Sequence, residues 1–509
     1  MMKKYTIIVF ALALVSFTSC KKSFIEQNNP NAVTVGDYFT TQSAVSLAVN
    51  GLYAGLRSGN NLGENSSLFN DQHSDDTGTN DISSNSGEPF QFANYSLIAS
   101  NSYINAHWLD LYSLISKCNV ITSNINNVTF TSAAVKQEYI AQAEFIRALM
   151  YFHLVRKWGA VPLVTTQLNS ATAVAAQTYR QPESAVYAQI VADLKDALTS
   201  DLPNLQTGAN AGLIGKAAMN GLLGEVYLTM ASTLTDNKVE NLTNANTYLT
   251  ACYNMRPFTS LSAIPYADVF DVTKKATNPE AIFEIVNKQG DINYSSSIAA
   301  NNQALGETIN SLKVATSTGG NLRKDLINEY EAGDPRAAFN YKFASNPTVF
   351  DYFITKYRDA SAAAGVNGYG GNNWPLMRYA DIILLLAEVN NDQGNTAVAI
   401  QYLDMVRARA GMPLYAVAST NPTYATKFPT LKLAILHERR SELAFEHQRW
   451  FDLIRNFTTP ELVSYFQAKN PLNFGNGKLA NFGVKDRYFP IPLSEYQLDP
   501  VKMYQNPGY

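Results

Sequence analysis

Apolar residues recur at helical spacing in two blocks of this chain, and the long stretch between the blocks carries no such pattern. The first block opens at 42–56, where Val45, Val49, Leu52 and Leu56 fall on one face. It continues at about 104–127, 133–158, 183–199, 211–234 and 243–255. The pattern returns at 375–392, 394–410 and 430–456. From Pro257 to Asn373 the chain is rich in Asn, Ser, Gly and Thr, with strand-like runs at Ala281–Val286 and Tyr352–Tyr357 and one helical stretch near 322–332. The tail beyond Pro460 reads as loop, punctuated by Pro471, Pro490, Pro492, Pro500 and Pro507.

About 490 residues would remain after removal of a leader, more than one compact core usually holds. No Pro/Ser/Gly-rich linker divides them. The expected solution is a single body over 42–509: a helical scaffold at 42–256 and 375–457, a loop-rich lobe at 257–374 and a tail at 458–509. Helices of this length joined by short turns suggest solenoid-type helix pairs, with Gly394-Asn395-Thr396 as one such turn and Ala397, Ala399 and Ala408 as small packing residues.

The N-terminus reads Met1-Met2-Lys3-Lys4, then an apolar run from Tyr5 to Val15, then Ser16-Phe17-Thr18-Ser19-Cys20. The run is too short for a membrane span, which needs about 20 residues. A charged start, a short apolar core and small residues before cysteine form the bacterial lipoprotein pattern, with residues 1–19 as signal peptide and Cys20 acylated. Phe17 stands where Leu is more usual. The alternative is an ordinary secretory leader cut near Ser19. Residues 20–41 then form the lipidated cysteine and a polar tether. Anchoring through the lipid would be the only membrane contact.

The formal charge of −3 becomes −5 when Lys3 and Lys4 leave with the leader, and no Lys/Arg cluster recommends nucleic acid as a partner. Cys118 and Cys252 belong to no CxxC pair or histidine cluster, so no zinc or redox motif is present. A disulfide between them is left open. Only 16% of the residues are charged, while tyrosines number 29, a composition suited to hydrogen-bonding neutral partners.

Catalytic motifs are missing. There is no GxGxxG after a strand, no P-loop, no GxSxG and no HExxH, since His437-Glu438 has Ser441 where the second His would stand. The densest carboxylate cluster runs through one predicted helix, where Glu438, Glu442 and Glu446 are spaced i, i+4, i+8 among Arg439, Arg440 and Arg449. A glycoside hydrolase would need two carboxylates flanking a bond. Here a structural charge network holding helices in register is the simpler reading, and Arg147, Arg378 and Asp381, set among apolar helix positions, are expected to form buried pairs or to bond backbone carbonyls. Trp158 and Trp450 are expected in the core.

Five segments, in order along the chain, resemble signatures of the SusD/RagB family of outer-membrane lipoproteins. They are the leader, Ala143–Val164 ending in Gly159-Ala160-Val161-Pro162-Leu163-Val164, Pro375–Glu388 with Arg378-Tyr379-Ala380-Asp381, the Ile435–Arg455 segment, and Arg487–Pro492 with the terminal Gln505–Tyr509. The resemblance implies a mainly α fold of tetratricopeptide-like helix pairs, a right-handed solenoid-like scaffold with a loop-rich irregular lobe. It implies a non-catalytic binder of glycan that passes oligosaccharide to a SusC-like TonB-dependent transporter, lipid-anchored at the outer membrane and facing the cell exterior. In some members the ligand is peptide, and that alternative stays open. The Lys21-Lys22-Ser23-Phe24-Ile25-Glu26 run after Cys20 is less acidic than the usual surface-export signal, so the outward orientation rests on the likeness.

Sugars are held by aromatic faces and short polar side chains, and loops on a rigid scaffold are where such groups collect. Three loop regions supply them. The first, between Asp71 and Tyr103, offers Phe92, Asn94, Tyr95 and Tyr103; the second, from Gly290, offers Asn293 and Tyr294; the third offers Asn373 and Trp374. The competing reading is that these aromatics anchor loops to the body. Asp75, Asp76 and Asp81 are the one place a Ca2+ would be sought, though they lack the spacing of a calcium loop. No other cofactor is expected.

Overall fold

Residues 35–313, 321–345 and 350–509 are described in the computed structural model, so Cys20 and most of the tether lie outside the described residues. The first helical block contains α1 (Gln42–Leu56), α2 (Ser102–Asn124), α3 (Ala133–Trp158), α4 (Glu183–Ala197), α5 (Lys216–Thr233) and α6 (Lys238–Asn254). The second contains α7 (Tyr379–Asp392), α8 (Thr396–Arg409), α9 (Leu431–Glu442), α10 (Arg449–Asn456) and α11 (Thr459–Gln467). Helix starts follow local chemistry: the side chains of Thr41, Asn101 and Ser132 accept the first free amides of α1, α2 and α3. Gly159 ends α3 at φ 72, a backbone angle a side chain would resist.

Each helix packs on the next. α2 lies on α3, α3 on α4, α4 on α5, α5 on α6, α6 on α7, and α7 on both α8 and α9. The two sequence blocks therefore form one continuous stack of helix pairs. Close approach is arranged by glycine: a Cβ on Gly224 would lie 2.6 Å from Leu249, so α5 and α6 touch backbone to side chain there. Cys118 on α2 and Cys252 on α6 are buried free thiols.

Strands are few. β1 (Val161–Pro162) pairs with β2 (Arg180–Gln181), β3 (Ala281–Ile285) with β6 (Trp374–Arg378), and β4 (Tyr341–Ser345) with β5 (Phe350–Ile354), all antiparallel. Three sequence expectations change here. Residues 374–378 are strand, not the start of a helix, because they pair with β3 and bring Arg378 to the centre of the molecule. The 322–332 helix shrinks to Lys324–Ile327, since Glu329 and Glu331 turn away to face His437. The tail gains α11, whose start is fixed by Glu461 accepting from both the backbone and the hydroxyl of Thr458.

The 430–456 helix is broken. α9 ends at Glu442, and Phe445 and His447 adopt left-handed angles of φ 64 and 62 before α10 begins. The turn folds Glu446 back toward Arg378 instead of carrying it along the α9 face. The three glutamates still converge on cations: Glu438 on Arg336 at 2.6 Å and Arg407 at 2.9 Å, Glu442 on Arg378 at 2.7 Å and on Arg409, and Glu446 on Lys356 at 2.6 Å. Arg378 also reaches Glu280 of β3 at 2.6 Å. Arg147 pairs with Asp193 at 2.7 Å and Asp381 with Arg439 at 2.8 Å, as their apolar settings suggested. The pairs of Arg336, Lys356 and Glu280 join lobe to scaffold, and such buried pairs are costly to break singly.

Candidate functional site

Three of the aromatic candidates are core residues. Phe92 and Tyr95 are fully buried, Phe92 edge-on to Phe69 and Phe489 at 5.8 Å, and Tyr95 against Phe482 at 4.9 Å with its hydroxyl donating to Ser74 O. Trp374 is buried between Tyr357 and His447, ring centroids 5.0 and 4.6 Å away. All three anchor loops to the body, because a large apolar ring gains more from burial than from display. Asn94 and Asn373 are loop ties. Asn94 Oδ1 accepts from Lys478 N, and Asn373 donates to Glu284 Oε2 at 2.8 Å while accepting from Asn287 N at 3.1 Å.

The acidic candidates separate too. Asp75 is buried; that alone would raise its pKa, but Arg440, Arg449 and Lys469 hold it well below the usual carboxylate range. Arg449 Nε lies 2.8 Å from its Oδ1 and Lys469 Nζ 3.0 Å from its Oδ2. Asp76 pairs with Arg440 at 2.8 Å, and burial pushes its carboxyl up. Asp81 is exposed elsewhere, accepting from the amides of Ser83 and Ser84. Among the described residues no three His, Cys, Asp or Glu side chains gather as a metal site would require.

Tyr103, Asn293 and Tyr294 keep reachable surface, and a mainly polar strip connects them. Tyr103, Ala106 and Asp110 sit at i, i+3 and i+7 on α2 and so share a face about 10 Å long. The small side chain of the half-buried Ala106 leaves the middle of that face shallow, and beside it Asn105 accepts from Ser494 at 2.9 Å. At the start of the face the Tyr103 hydroxyl accepts from Asn85 at 2.7 Å. At its far end Ser58 donates to Asp110 Oδ2 at 2.5 Å and Asn61 Nδ2 to Asp110 O at 3.3 Å, laying the 57–63 turn along the helix. Asn60 is exposed on that turn. Arg57, at the end of α1, then crosses to the loop that displays Asn293 and Tyr294, the latter 53% exposed.

The strip is held from beneath. Asn287, almost fully buried, accepts from Arg57 and donates to Asn372 O at 2.7 Å, while its own carbonyl accepts from Lys275. Glu284 lies under Asn373, and burial pushes its carboxyl up to about 7, partly opposed by the Asn373 bond and by Lys275. The Asn60 carbonyl accepts from His107 Nδ1 at 2.6 Å, so Nε2 of that ring is the acceptor for Lys157 Nζ at 2.8 Å. Burial, with Arg156 nearby, pushes Lys157 well below the usual lysine range.

Sequence reading missed Arg57 and Asn60. The Ser58-Gly59-Asn60-Asn61 run is a turn signature directly after a helix, and that signal could have drawn attention to its flanking arginine. A second concavity of about 910 Å³ lies between α2, the 162–178 segment and residues 495–503, lined by Leu109, Tyr112, Val174 and Leu498. Its lining is mostly apolar, with Asn119, Gln167, Glu495 and Lys502 among the polar residues. No helix among the described residues is long and apolar enough to cross a membrane.

Comparison with known proteins places this architecture. Residues 287–509 match the model of the SusD family, and residues 23–228 match a model described as "Starch-binding associating with outer membrane". The chain is 27% identical to SusD-like protein P2 of Formosa agariphila over the whole of both chains. It is 23% identical to a SusD-like protein of Bacteroides ovatus, covering 99% of this chain and 92% of that one. Among solved structures, surface glycan-binding protein A from Bacteroides thetaiotaomicron superposes with a TM-score of 0.73 at 20% identity, over 93% of this chain and all of that one. A laminarin-binding SusD-like protein superposes with a TM-score of 0.71 at 24% identity, over 92% of this chain and all of that one.

Proposed function

This chain belongs to the SusD family, and on that premise we propose that it is a surface glycan-binding protein whose ligand lies along the Tyr103–Ala106–Asn60–Arg57–Tyr294 strip. The observation that carries the reading is the exposed Tyr294 ring beside short polar side chains, on a loop tied to the helical scaffold. A tyrosine face packs on the C–H side of a sugar, and Asn and Ser groups meet its hydroxyls. Related solved structures include a laminarin-binding SusD-like protein and a surface glycan-binding protein A in complex with laminarihexaose, which supports the glycan class. Captured oligosaccharide is delivered to a SusC-like TonB-dependent transporter in the outer membrane, and a lipid on Cys20 holds the binder beside it at high effective concentration.

The reading is non-catalytic. Glu438, Glu442 and Glu446 are buried and ion-paired, so they do not stand on either side of an accessible bond. Calorimetry against a panel of oligosaccharides and peptides, with product analysis, tests the proposal. Glycan binding without cleavage, lost in Tyr294→Ala, is the expected result. Binding of peptides alone, or release of shortened sugar, overturns it.

A further inference from the structure

The loop that displays Tyr294 has little packing of its own to fix it. Ile292, Asn293 and Tyr294 are exposed, and the loop's internal closure comes from Lys288 N donating to Tyr294 O at 2.6 Å and from Ser295 Oγ donating to Lys288 O at 2.9 Å. On the lobe side Gln289 donates to Asp359 and Ser361. Just past the loop Ser296 bridges to Gly370 and Ser297 N donates to Glu64 at 2.9 Å; on the loop itself the α1-side hold is the side chain of Arg57. It donates to Val286 O and Asn287 Oδ1 where the loop begins, and to Tyr294 O at 3.1 Å where it returns. The same guanidinium carbon stands 5.8 Å from the Tyr294 ring centroid. One group therefore touches both feet of the loop and its displayed ring.

We propose that Arg57 is a positioning residue for ligand capture: its three-way bond to Val286, Asn287 and Tyr294 fixes the loop in the shape that presents Tyr294 as a flat platform. The inference rests on the strip being the ligand surface. A planar fork of five N–H donors can serve three acceptors in fixed directions, whereas an ammonium acts as a point donor. Burial is the main influence on Arg57 and lowers its pKa, with Glu64 and Tyr294 opposing only in part. Asn287 carries the clamp inward, through Asn372 and Asn373, to β6. Ordering of this loop is thus paid in the folding of the free protein, and ligand meets a surface already formed.

Two measurements decide it. Hydrogen exchange on ligand-free protein should show faster exchange at 287–295 in Arg57→Gln, with α2 unchanged and the melting temperature nearly constant. Arg57→Lys, which keeps the charge and one bond, should show most of the same acceleration. Unchanged exchange in both variants overturns the proposal, and so does faster exchange spread evenly over the scaffold. The second measurement is calorimetry with laminarihexaose across Arg57→Gln, Tyr294→Ala and the double variant. The two single changes should each weaken binding about tenfold, and the double variant scarcely more, because they remove one platform. Multiplicative losses overturn the proposal. If the wild type does not bind laminarihexaose, this sugar is excluded as ligand, and the exchange result alone decides the role of Arg57.

Discussion

Arg378 grips Glu446 with two parallel bonds, Nε to Oε2 at 2.7 Å and Nη2 to Oε1 at 2.7 Å. The pair closes the 443–448 turn onto β6, and Lys356 adds a third contact at 2.6 Å. Burial alone would raise the Glu446 carboxyl, but Arg378 and Lys356 keep it lowered.

Glu446→Gln is therefore expected to cost about 3–5 kcal/mol, because it leaves Lys356 buried without its carboxylate and removes one of the three carboxylates that surround Arg378. Denaturant unfolding measures it. A carboxylate with a depressed folded pKa lends stability above its unfolded value and loses it as pH falls through the folded one. The variant should accordingly lose less stability on acidification than the wild type does. A loss below about 1 kcal/mol would mean that the network is dispensable.

Lys157→Met should stabilise the protein at neutral pH. The amino group donates to His107 and lies among the rings of Phe69 and Phe451, with Arg156 as the nearby charge. A lysine depressed on folding must release a proton, so wild-type stability rises with pH until the unfolded lysine also deprotonates. Unfolding curves at pH 7 and 9 should show that rise in the wild type and a smaller one in the variant.

Glu284→Gln should also stabilise, with a different pH signature. The carboxyl titrates at about 7 when folded and near 4.5 as the ordinary value, so its stability contribution is full below 4.5 and lost as pH rises through 7. The isosteric amide removes that loss, for a gain of at most about 3 kcal/mol at pH 8 and none at pH 4. Parallel wild-type and variant pH profiles would rule out the raised carboxyl.

Tyr294→Ala and Trp374→Ala should separate binding from stability. The first removes an exposed ring and is expected to weaken glycan binding about tenfold without moving the melting temperature. The second empties a buried site and should cost about 3–5 kcal/mol of stability. Loss of stability in the first, or none in the second, reverses their assignment.

The helices were legible because their apolar periodicity needs only local sequence: α1 and α3 begin and end where the pattern predicts, at Gln42–Leu56 and Ala133–Trp158. Trp374–Arg378 was not, since its strand state comes from pairing with β3, nearly a hundred residues upstream. The break after Glu442 escaped for the same reason: the periodicity runs on, while the tertiary pull of Arg378 on Glu446 sets the turn. At the candidate site, sequence gathered aromatics and polar groups into loops but did not separate the buried ones from the exposed. Phe92, Tyr95 and Trp374 differ from Tyr294 only in burial, which no local signal reports. Arg57 lay outside every loop singled out, and only the folded chain brings it under Tyr294.

The inward-facing ion pairs have an outward consequence. With Arg336, Arg378, Arg407, Arg409, Arg439, Arg440, Arg449 and Arg455 all buried against carboxylates, much of the chain's modest charge cancels at short range inside the body. Mobile ions screen exposed fields over roughly 8–10 Å and barely touch buried pairs. If the proposed strip takes an uncharged glycan, encounter there is a matter of diffusion and fit, and changes in the salinity of the surroundings should leave its rate nearly the same.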